Sequence, residues 1–227
     1  MLSIPGYCWL CKMPLARPDW GFCSCCCAAL PSLPLCCPCC GLPAGNSHTP
    51  CGRCLQHPPP WQQICFVTDY TPPLNQIIHR LKFHREPALA RGLARLLLLQ
   101  ITAQKRTHGL QIPDTIVSTP LHTWRQWRRG FNQSDLLAAP LAKWLGCGYT
   151  SGALTRKMQG KIQHRLSARL RRHNLDNAFL LEIPVKGLHI AIVDDVVTTG
   201  STVGEIARLL ERNGAASIQI WCLCRTL

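Results

Sequence analysis

A pair of acids followed by a hydroxyl-rich turn lies near the end of this chain. The stretch IAIVDDVVTTGST occupies Ile190–Thr202. Its first four residues suit a buried parallel strand, which delivers Asp194 and Asp195 to the carboxyl edge of an open α/β sheet, where ligands bind. Two carboxylates there can accept hydrogen bonds from vicinal hydroxyl groups, and their charge suits a magnesium complex better than a bare phosphate. The pattern therefore predicts a sugar-phosphate site.

The turn after the acids supplies donors for the phosphate group. Its hydroxyl groups and its glycine belong to Thr198, Thr199, Gly200, Ser201 and Thr202. Glycine lets the backbone approach a ligand closely, and a helix predicted over Val203–Asn213 presents its first amides to a phosphate. The alternative is a buried strand and an ordinary turn in which the acids cap the helix. The acid pair, TTG and the helix together favour the ligand site.

Cysteine pairs dominate the beginning of the chain. Twelve of the sixteen cysteines lie before residue 55, in repeated CxxC pairs. Each pair places two thiolates on one turn, and two such turns complete a tetrahedron around zinc. We therefore predict two structural Zn²⁺ sites in a double zinc ribbon. Their ligands are Cys8, Cys11, Cys23 and Cys26 in the first site, and Cys37, Cys40, Cys51 and Cys54 in the second.

Other residues compete with these ligands, and the exact register stays open. The competitors are Cys25, Cys27, Cys36, Cys39, His48 and His57. A CxxC pair also occurs one residue earlier than the pair that ends at Cys40, and only Gly41 favours the later register. A lone histidine in a Pro-rich loop is more often solvated than ligating, so both histidines are expected to lie outside the sites. Iron–sulfur ligation is an alternative to zinc.

The start of the chain bears on the choice between metal and disulfide. It opens MLSIPGYC, without a basic segment followed by a long apolar stretch, so no secretory signal is expected. The longest aliphatic run, Leu96–Leu99, is too short to span a bilayer. We expect a cytoplasmic protein with no transmembrane segment. In that reducing compartment, paired CxxC motifs are metal sites more often than disulfides.

The 227 residues divide into a small metal module and one larger domain. The predicted boundaries are 1–57 for the double zinc ribbon, 58–63 for a Pro-rich linker and 64–227 for an α/β domain. Alternating strands and helices in this domain predict a doubly wound sheet. The helix over Ser134–Leu145 is expected to begin with Ser134 as its N-cap and to kink or break at Pro140. The other predicted elements are strands over Ile64–Tyr70, Thr115–Thr119 and Ser217–Cys224 and a helix over Leu74–Lys82.

Positive charge is concentrated in one part of the chain. The formal net charge is +14, and residues 125–172 contain eleven lysines and arginines against a single acid, Asp135. Such a segment attracts anions, and pyrophosphate and nucleic acid are the candidates. Solvated helix faces account for part of this charge.

The arrangement resembles the ComF/GntX family of bacterial proteins associated with competence and DNA utilization. Within it, the Ile190–Thr202 stretch resembles the phosphoribosyl-pyrophosphate (PRPP) signature of type I phosphoribosyltransferases. The resemblance covers essentially the whole chain and implies a type I phosphoribosyltransferase-like doubly wound parallel sheet after the double zinc ribbon. The segments that carry it are the four CxxC pairs, CGLP at Cys40–Pro43, Tyr70 with IIHRLKF at Ile77–Phe83, RRGFNQS at Arg128–Ser134, VDDVVTTGST at Val193–Thr202, and Gln163, Arg169, Asn174 and Phe179.

The resemblance also implies roles for individual residues. The PRPP-binding set is Lys82, Arg128, Arg129, Asp194, Asp195, Thr198, Thr199, Gly200, Ser201 and Thr202. Within it, the two aspartates are the catalytic pair and hold the ribose hydroxyls, the turn holds the 5′-phosphate, and the three basic residues hold pyrophosphate. Residues Arg156–Arg172 form a flap that closes over the leaving pyrophosphate. The implied cofactor besides zinc is Mg²⁺ bound with PRPP.

Two functions from different classes remain. The first is an enzyme in which magnesium–PRPP loses pyrophosphate and an unidentified base or amine takes the ribose 5-phosphate. The alternative is a protein that binds single-stranded DNA and keeps the PRPP pocket as a sensor or a relic. The charge and the family's association with DNA uptake favour this alternative. A third, weaker interpretation makes the zinc module a docking platform for a protein partner of the DNA-uptake machinery.

Overall fold

The computed structural model describes residues 6–121, 130–156 and 178–226. Its strands are β1 (Gly6–Tyr7), β2 (Pro14–Leu15), β3 (Gln63–Asp69), β4 (Thr115–Ser118), β5 (Gly148–Tyr149), β6 (Leu154–Arg156), β7 (Phe179–Leu181), β8 (His189–Val197) and β9 (Ser217–Arg225). Its helices are α1 (Ser24–Ala28), α2 (Gly52–Gln56), α3 (Leu74–Phe83), α4 (Leu89–His108), α5 (Gln133–Leu145) and α6 (Ser201–Arg212). In these ranges, no helix combines the length and the apolarity needed to cross a membrane.

A five-stranded sheet organises the larger part of the described residues, in the order β3-β9-β8-β4-β5. Every neighbouring pair in this sheet is parallel. Parallel neighbours require crossovers that lie over a face of the sheet, so helices cover it. Val193 in β8 pairs with Trp221 in β9 and with Ser118 in β4. Strand β8 therefore lies at the centre of the sheet.

Two apolar layers cover the two faces of the sheet. On the first face, α3, α4 and α5 bury Leu81, Leu93 and Leu137 in one cluster with Trp221. On the second face, α6 buries Ile206 in a separate cluster with strand residues. Helix α6 can do this because its apolar residues recur every three or four positions and form one stripe. The prediction of a doubly wound α/β sheet is confirmed.

The cysteine-rich segment divides between the same two faces. Phe22 packs in the layer of α3, α4 and α5, whereas Leu33 and Cys36 pack in the layer of α6. The antiparallel pair β1–β2 and helix α1 belong to the first part. An isolated bridge between Cys36 and Pro43, followed by α2, belongs to the second. The segment therefore contacts both faces of the sheet.

Helix α5 differs in two details from its prediction. Its N-cap is Asn132, whose side-chain oxygen accepts a hydrogen bond from the amide of Ser134, so the prediction of Ser134 as N-cap is wrong. The Asn132 amide group also donates to the carbonyl of Thr119, and this contact ties the helix start to the end of β4. Pro140 lies inside one continuous helix and does not divide it. The buried face of α5 offsets the one hydrogen bond that proline removes.

Strand β8 is longer than the sequence predicts. The apolar run predicts a strand that ends before Asp194, but pairing with β9 continues from Asp194–Cys222 to Val197–Arg225. The antiparallel pair β6–β7 is a second element that the sequence did not predict. Each of its strands has three residues, too few for an alternating pattern to be recognised. The other predicted elements are confirmed, with bounds within two residues of those expected.

Candidate functional site

The acid pair lies near the carboxyl end of β8, next to a lysine from α3 and a serine from α5. Lys82, in the last turn of α3, places its Nζ 2.9 Å from Oδ2 of Asp195, and both side chains are largely buried. Ser134, in the first turn of α5, donates its hydroxyl to Oδ1 of Asp194 at 3.2 Å. The same oxygen accepts the amide of Asp195 at 2.9 Å. Each carboxylate therefore has one polar partner from a helix on the first face.

Burial and a neighbouring charge raise the pKa of Asp194. Burial raises the pKa of Asp194 from 3.8 to about 7, and the charge of Asp195 adds to the rise. The Asp195 amide, the Lys82 ammonium group and the Ser134 hydroxyl oppose this rise without cancelling it. Asp194 therefore holds its proton to a higher pH than an exposed aspartate does. A cation or a pair of hydroxyl donors that enters the site would stabilise the ionised form.

The predicted phosphate loop follows directly after β8. Gly200 adopts a left-handed conformation (φ +79°) and precedes the first residue of α6, Ser201. The hydroxyl of Thr199 donates to Ser201 Oγ at 3.1 Å and accepts the Ser201 amide at 3.3 Å. The side chains of Thr198, Thr199 and Ser201 are exposed, and Thr202 is half-buried. The loop therefore presents hydroxyl groups and the amide end of a helix to solvent, as an anion site requires.

A buried arginine donates hydrogen bonds to the backbone at the start of this loop. Arg225, the last residue of β9, donates from Nη1 to the carbonyls of Val197 at 3.1 Å and Thr226 at 3.0 Å, and also to the carbonyl of Thr198. Its Nε donates to the carbonyl of Cys40 at 2.9 Å. Burial lowers the pKa of Arg225, but a guanidinium group stays charged in proteins. Arg225 is not among the residues predicted from the sequence; the available signal was a charged residue at the end of an apolar strand.

The predicted pyrophosphate residues are only partly covered by the described residues. Lys82 lies beside the acid pair, whereas Arg128 and Arg129 lie outside the described residues, as does the predicted flap beyond Arg156. Thr119, which follows β4, is a further residue that is not among the predicted site residues. Its buried Oγ1 has no hydrogen-bond partner among the described residues. Since β4 is adjacent to β8, this hydroxyl lies at the same edge of the sheet as the acids.

The first predicted set of cysteines forms a compact group. Its four Sγ atoms lie within 4.8 Å of one another, and those of Cys11 and Cys23 are 3.7 Å apart. Zinc–sulfur bonds of about 2.3 Å in a tetrahedron require sulfur atoms about 3.8 Å apart. The amide of Cys23 donates to Cys8 Sγ at 3.4 Å, and the amide of Cys26 donates to Cys23 Sγ at 3.3 Å. Such amide contacts orient metal ligands, so the group fits a four-coordinate metal.

The second set repeats this geometry. Its four Sγ atoms also lie within 4.8 Å of one another, and those of Cys40 and Cys51 are 3.8 Å apart. The amide of Cys51 donates to Cys37 Sγ at 3.3 Å. Both groups consist of the predicted ligands. The second group contains Cys37 and Cys40, and the first group contains Cys26. Among the described residues, neither group includes the competitors Cys25, Cys27, Cys36, Cys39, His48 and His57.

The pKa values of the thiols are shifted in the same pattern in the two clusters. Burial opposes ionisation of Cys8 and Cys37, but backbone amides of neighbouring residues outweigh burial and lower the pKa of each to about 6. Burial raises the pKa of Cys26 and Cys54, and the neighbouring thiols add to the rise. One thiolate in each cluster therefore forms readily, and the remaining protons leave when a cation binds.

Comparison with known proteins agrees with these features. The phosphoribosyl transferase domain family matches residues 136–227. The DNA utilization protein YhgH of Escherichia coli (strain K12) is 62% identical over 227 residues, which cover all of both chains. Competence protein F of Haemophilus influenzae is 40% identical over 223 residues, 96% of each chain. Competence protein ComFC of Bacillus subtilis is 28% identical over 225 residues, 93% of this chain and 87% of that one.

The match to YhgH spans the whole length of both chains, and the domain match covers the acid pair and the phosphate loop. The parallel sheet and the two four-cysteine clusters complete the agreement with the family that the sequence resembles. The chain belongs to the ComF/GntX family, the family of the DNA utilization protein YhgH and the competence proteins, and carries its phosphoribosyltransferase domain.

Proposed function

We propose that this protein binds magnesium–PRPP at the carboxyl edge of β8 and transfers ribose 5-phosphate to a nitrogen nucleophile. One observation carries the proposal: an acid pair and an exposed phosphate loop lie three residues apart, at the end of the central strand of a parallel sheet. Carboxylates accept hydrogen bonds from hydroxyl groups, whereas hydroxyl groups and amides donate to phosphate. The acid pair therefore suits the hydroxyl groups of the ribose, and the loop suits the 5′-phosphate.

The ribose part of the ligand is assigned to the acid pair. Asp194 and Asp195 accept hydrogen bonds from the two vicinal hydroxyl groups, and Lys82 keeps Asp195 oriented through their ion pair. Because the pKa of Asp194 is raised to about 7, ligand binding also shifts this group toward its ionised form. The 5′-phosphate is assigned to the amides and hydroxyl groups from Thr198 to Thr202, at the positive end of α6.

The transfer step is a displacement at the anomeric carbon of the ribose. A nitrogen atom of a base or an amine forms a bond to this carbon as the carbon–oxygen bond to pyrophosphate breaks. Pyrophosphate leaves with the bonding electron pair, and the nitrogen loses a proton. Magnesium bound with the ligand supplies positive charge for the leaving group. Lys82 adds a fixed positive charge at this edge, and family resemblance adds Arg128 and Arg129.

Calorimetric titration of magnesium–PRPP into the full chain tests the proposal. The double variant Asp194→Asn/Asp195→Asn is expected to bind about 100-fold more weakly, because two charge-assisted hydrogen bonds contribute about 1.5 kcal/mol each. Asp114→Asn is the matched control. The Asp114 carboxylate accepts the amide of His189 at 2.8 Å, at the opposite end of β8, so its charge can be removed without touching the acid pair.

Three outcomes are informative. Selective loss of binding in the double variant supports the pocket and justifies a screen of bases and amines for pyrophosphate release. Equal binding by wild type and the double variant contradicts the ribose assignment. Absence of binding by folded wild type contradicts the proposed function and directs attention to nucleic acid.

We infer that each four-cysteine cluster holds a structural Zn²⁺ ion. The cluster geometry supports zinc, since sulfur separations of 3.7 and 3.8 Å match a tetrahedron of zinc–thiolate bonds. Short elements such as β1, β2, α1 and α2 bury little apolar surface by themselves, and a metal compensates for this. Metal analysis of the purified chain should give two zinc ions per molecule, one for each cluster.

Binding of single-stranded DNA is a second candidate function. An exposed aromatic surface on and after the last turn of α3 favours it: ring centroids are 4.6 Å apart for His79 and Phe83, and 5.5 Å apart for His79 and His84. The Phe83 side chain is 60% exposed. The net charge of +14 and the names of the relatives, DNA utilization and competence proteins, agree with this candidate.

Fluorescence anisotropy with a labelled oligothymidine tests DNA binding. Affinity should fall steeply with salt, and Phe83→Ala should weaken it about tenfold through loss of base stacking. Leu99→Ala is the matched control, because Leu99 is also an exposed apolar residue but lies on α4. Salt-independent binding, or equal effects of the two variants, would contradict this assignment.

A further inference from the structure

We propose that metal at the second cysteine cluster regulates sugar-phosphate binding through Arg225 and Trp61, which hold the phosphate loop against that cluster. The inference rests on the proposed function, since it assigns a regulation to the same pocket. It makes Arg225 and Trp61 positioning residues that act through the loop.

The turn between two ligands of the second cluster is held by three successive carbonyl groups. The carbonyl of Pro38 accepts the amide of Ile64 at 2.8 Å. The carbonyl of Cys39 accepts the indole Nε1 of Trp61 at 2.7 Å, and that of Cys40 accepts Nε of Arg225 at 2.9 Å. A metal bound by Cys37 and Cys40 fixes the conformation of this turn and hence the positions of all three carbonyls.

Arg225 connects this turn to the phosphate loop. While Nε faces the carbonyl of Cys40, Nη1 donates to the carbonyls of Val197 and Thr198 at the beginning of the loop. A guanidinium group is planar and its donors have fixed directions, so a shift of one acceptor changes the geometry at the others. The position of Thr198 therefore depends on the position of Cys40.

Trp61 forms a second connection. A methyl group at Gly200 would lie 3.3 Å from Cη2 of Trp61, and one at Gly204 would lie 3.4 Å from Cζ3. The indole thus lies directly against the start of α6 while its Nε1 holds the carbonyl of Cys39. Loss of metal at the second cluster releases the turn, and the loop and the first turn of α6 lose two supports together. Binding must then also order the loop, which lowers affinity.

The decisive comparison is between Cys40→Ser and Cys11→Ser in the full chain. Each removes one ligand from one cluster, which metal analysis verifies. Cys40→Ser should increase amide hydrogen exchange in residues 198–204 by about tenfold and weaken magnesium–PRPP binding by a similar factor, as expected when a residue or two must be ordered on binding. Cys11→Ser should change both quantities by less than about twofold, because the first cluster lies on the other face of the sheet.

Variants that retain both metals extend the test, including the case in which Cys40→Ser does not fold. Arg225→Lys keeps the charge but cannot bridge Cys40 and Thr198 with one ammonium group. Trp61→Phe keeps the ring against Gly200 but loses the donor to Cys39. Both should retain zinc, raise loop exchange and weaken PRPP binding. Arg95→Lys is the matched control, since Arg95 donates to the carbonyl of Phe22 near the first cluster at 3.2 Å.

The effect of PRPP on zinc binding distinguishes regulation from a purely structural role of the second cluster. If the second metal and PRPP stabilise the same arrangement, PRPP must tighten zinc binding at the second cluster by the factor by which zinc tightens PRPP binding. A competitive chelator titration with and without PRPP measures this factor. It should become smaller in Arg225→Lys, in which Trp61 is the remaining connection.

Failure of the coupling between the second cluster and the phosphate loop can be distinguished from failure of the proposed function. Equal loop exchange in Cys11→Ser and Cys40→Ser, or unchanged loop exchange in Arg225→Lys, overturns the coupling. Where wild type does not bind PRPP, loop exchange still decides: a response to Cys40→Ser alone supports the coupling although the proposed function fails, and no response overturns both.

Discussion

The two cysteine clusters are nearly identical in geometry and differ in what they contact. Their sulfur separations are 3.7 and 3.8 Å, and in each one buried thiol has its pKa lowered to about 6. The first cluster lies on the face of α3, α4 and α5, and the second on the face of α6. The two clusters therefore share a local geometry, whereas the face of the sheet on which each one packs determines what it contacts.

The first cluster contacts helix α4, and Trp9 between two of its cysteines also contacts Arg80 of α3. The backbone at Gly21 approaches α4 so closely that a methyl group there would lie 2.7 Å from Cα of Gly92. Arg95 and Arg91, both on α4, reach the carbonyl of Phe22 and the carboxylate of Asp19. These contacts stabilise the packing of the chain. The contacts of the second cluster lead instead to the phosphate loop.

Removal of both metals should have the largest effect and tests what the clusters share. Structural zinc contributes many kcal/mol to small ribbons, so a strong chelator should lower the Tm by at least about 10 °C. Differential scanning calorimetry on samples with verified zinc content measures the shift, and excess zinc should reverse it. An unchanged Tm in zinc-free protein would show that apolar contacts alone hold both ribbons.

The glycines at the two clusters give a matched pair with the next largest effect. Gly21 and Gly41 both have φ near +72°, where any other residue costs about 1–2 kcal/mol. In Gly21→Ala the added methyl also meets the backbone of α4, and in Gly41→Ala it lies 2.9 Å from Phe66 Cε1 and 3.3 Å from Arg225 Cγ. Each should lose about 3 kcal/mol of unfolding free energy.

Only one member of this glycine pair should affect ligand binding. Gly41→Ala displaces Arg225 and should weaken magnesium–PRPP binding, whereas Gly21→Ala should leave it unchanged. Urea unfolding and calorimetric titration measure the two quantities on the same samples. A loss of PRPP affinity in Gly21→Ala would break the distinction between the clusters.

The pH dependence of stability isolates the acid pair from both clusters. Since the pKa of Asp194 is raised from 3.8 to about 7, the folded state binds a proton that the unfolded state releases between these values. The stabilisation from Asp194 is complete below pH 4 and is lost as pH rises through 7. Relative to wild type, Asp194→Asn should therefore gain about 2 kcal/mol between pH 4 and pH 8, allowing for partial solvent screening.

Thermal unfolding of Asp194→Asn and wild type across this pH range measures the difference. The same difference should appear when both proteins also carry Cys11→Ser, because the first cluster does not contact the acids. A difference independent of pH would contradict the raised pKa.

The smallest effect is expected at the exposed rim of the first cluster. Asp19 forms ion pairs of 3.4 Å with Arg17 and Arg91, and all three side chains are at least 37% exposed. Exposed pairs contribute little, so Asp19→Asn should change the unfolding free energy by less than about 0.5 kcal/mol and PRPP affinity not at all. A larger change in urea unfolding would show that charge contributes to docking of the first ribbon.

Local patterns in the sequence predicted most of the fold and the candidate site. The two groups of CxxC pairs, the acid pair and the helix after the loop each follow from residues a few positions apart, because turns, strands and helix starts are local. The sequence leaves the cysteine register open, since two adjacent CxxC pairs have identical spacing. Only the folded chain distinguishes Cys37 and Cys40 from Cys36 and Cys39.

Residues that act across long separations were not predictable. Ser134 looked like a helix cap, but its hydroxyl pairs with Asp194, sixty residues later in the chain. Trp61 lies in the predicted Pro-rich linker, yet its indole contacts both the second cluster and α6. No local pattern marks such residues, because their partners are selected by the packing of distant elements.

The sequence by itself determined that two groups of CxxC pairs occur and fixed the succession of strand, acid pair, loop and helix, because each depends on neighbouring residues. Tertiary structure alone decided which cluster meets the loop. Strand β9 lies between β3 and β8, so its last residue, Arg225, reaches both the turn at Cys40, 185 positions earlier, and the start of the phosphate loop. Strand order and the choice of sheet face are properties of the packed core, which buries both apolar layers at once.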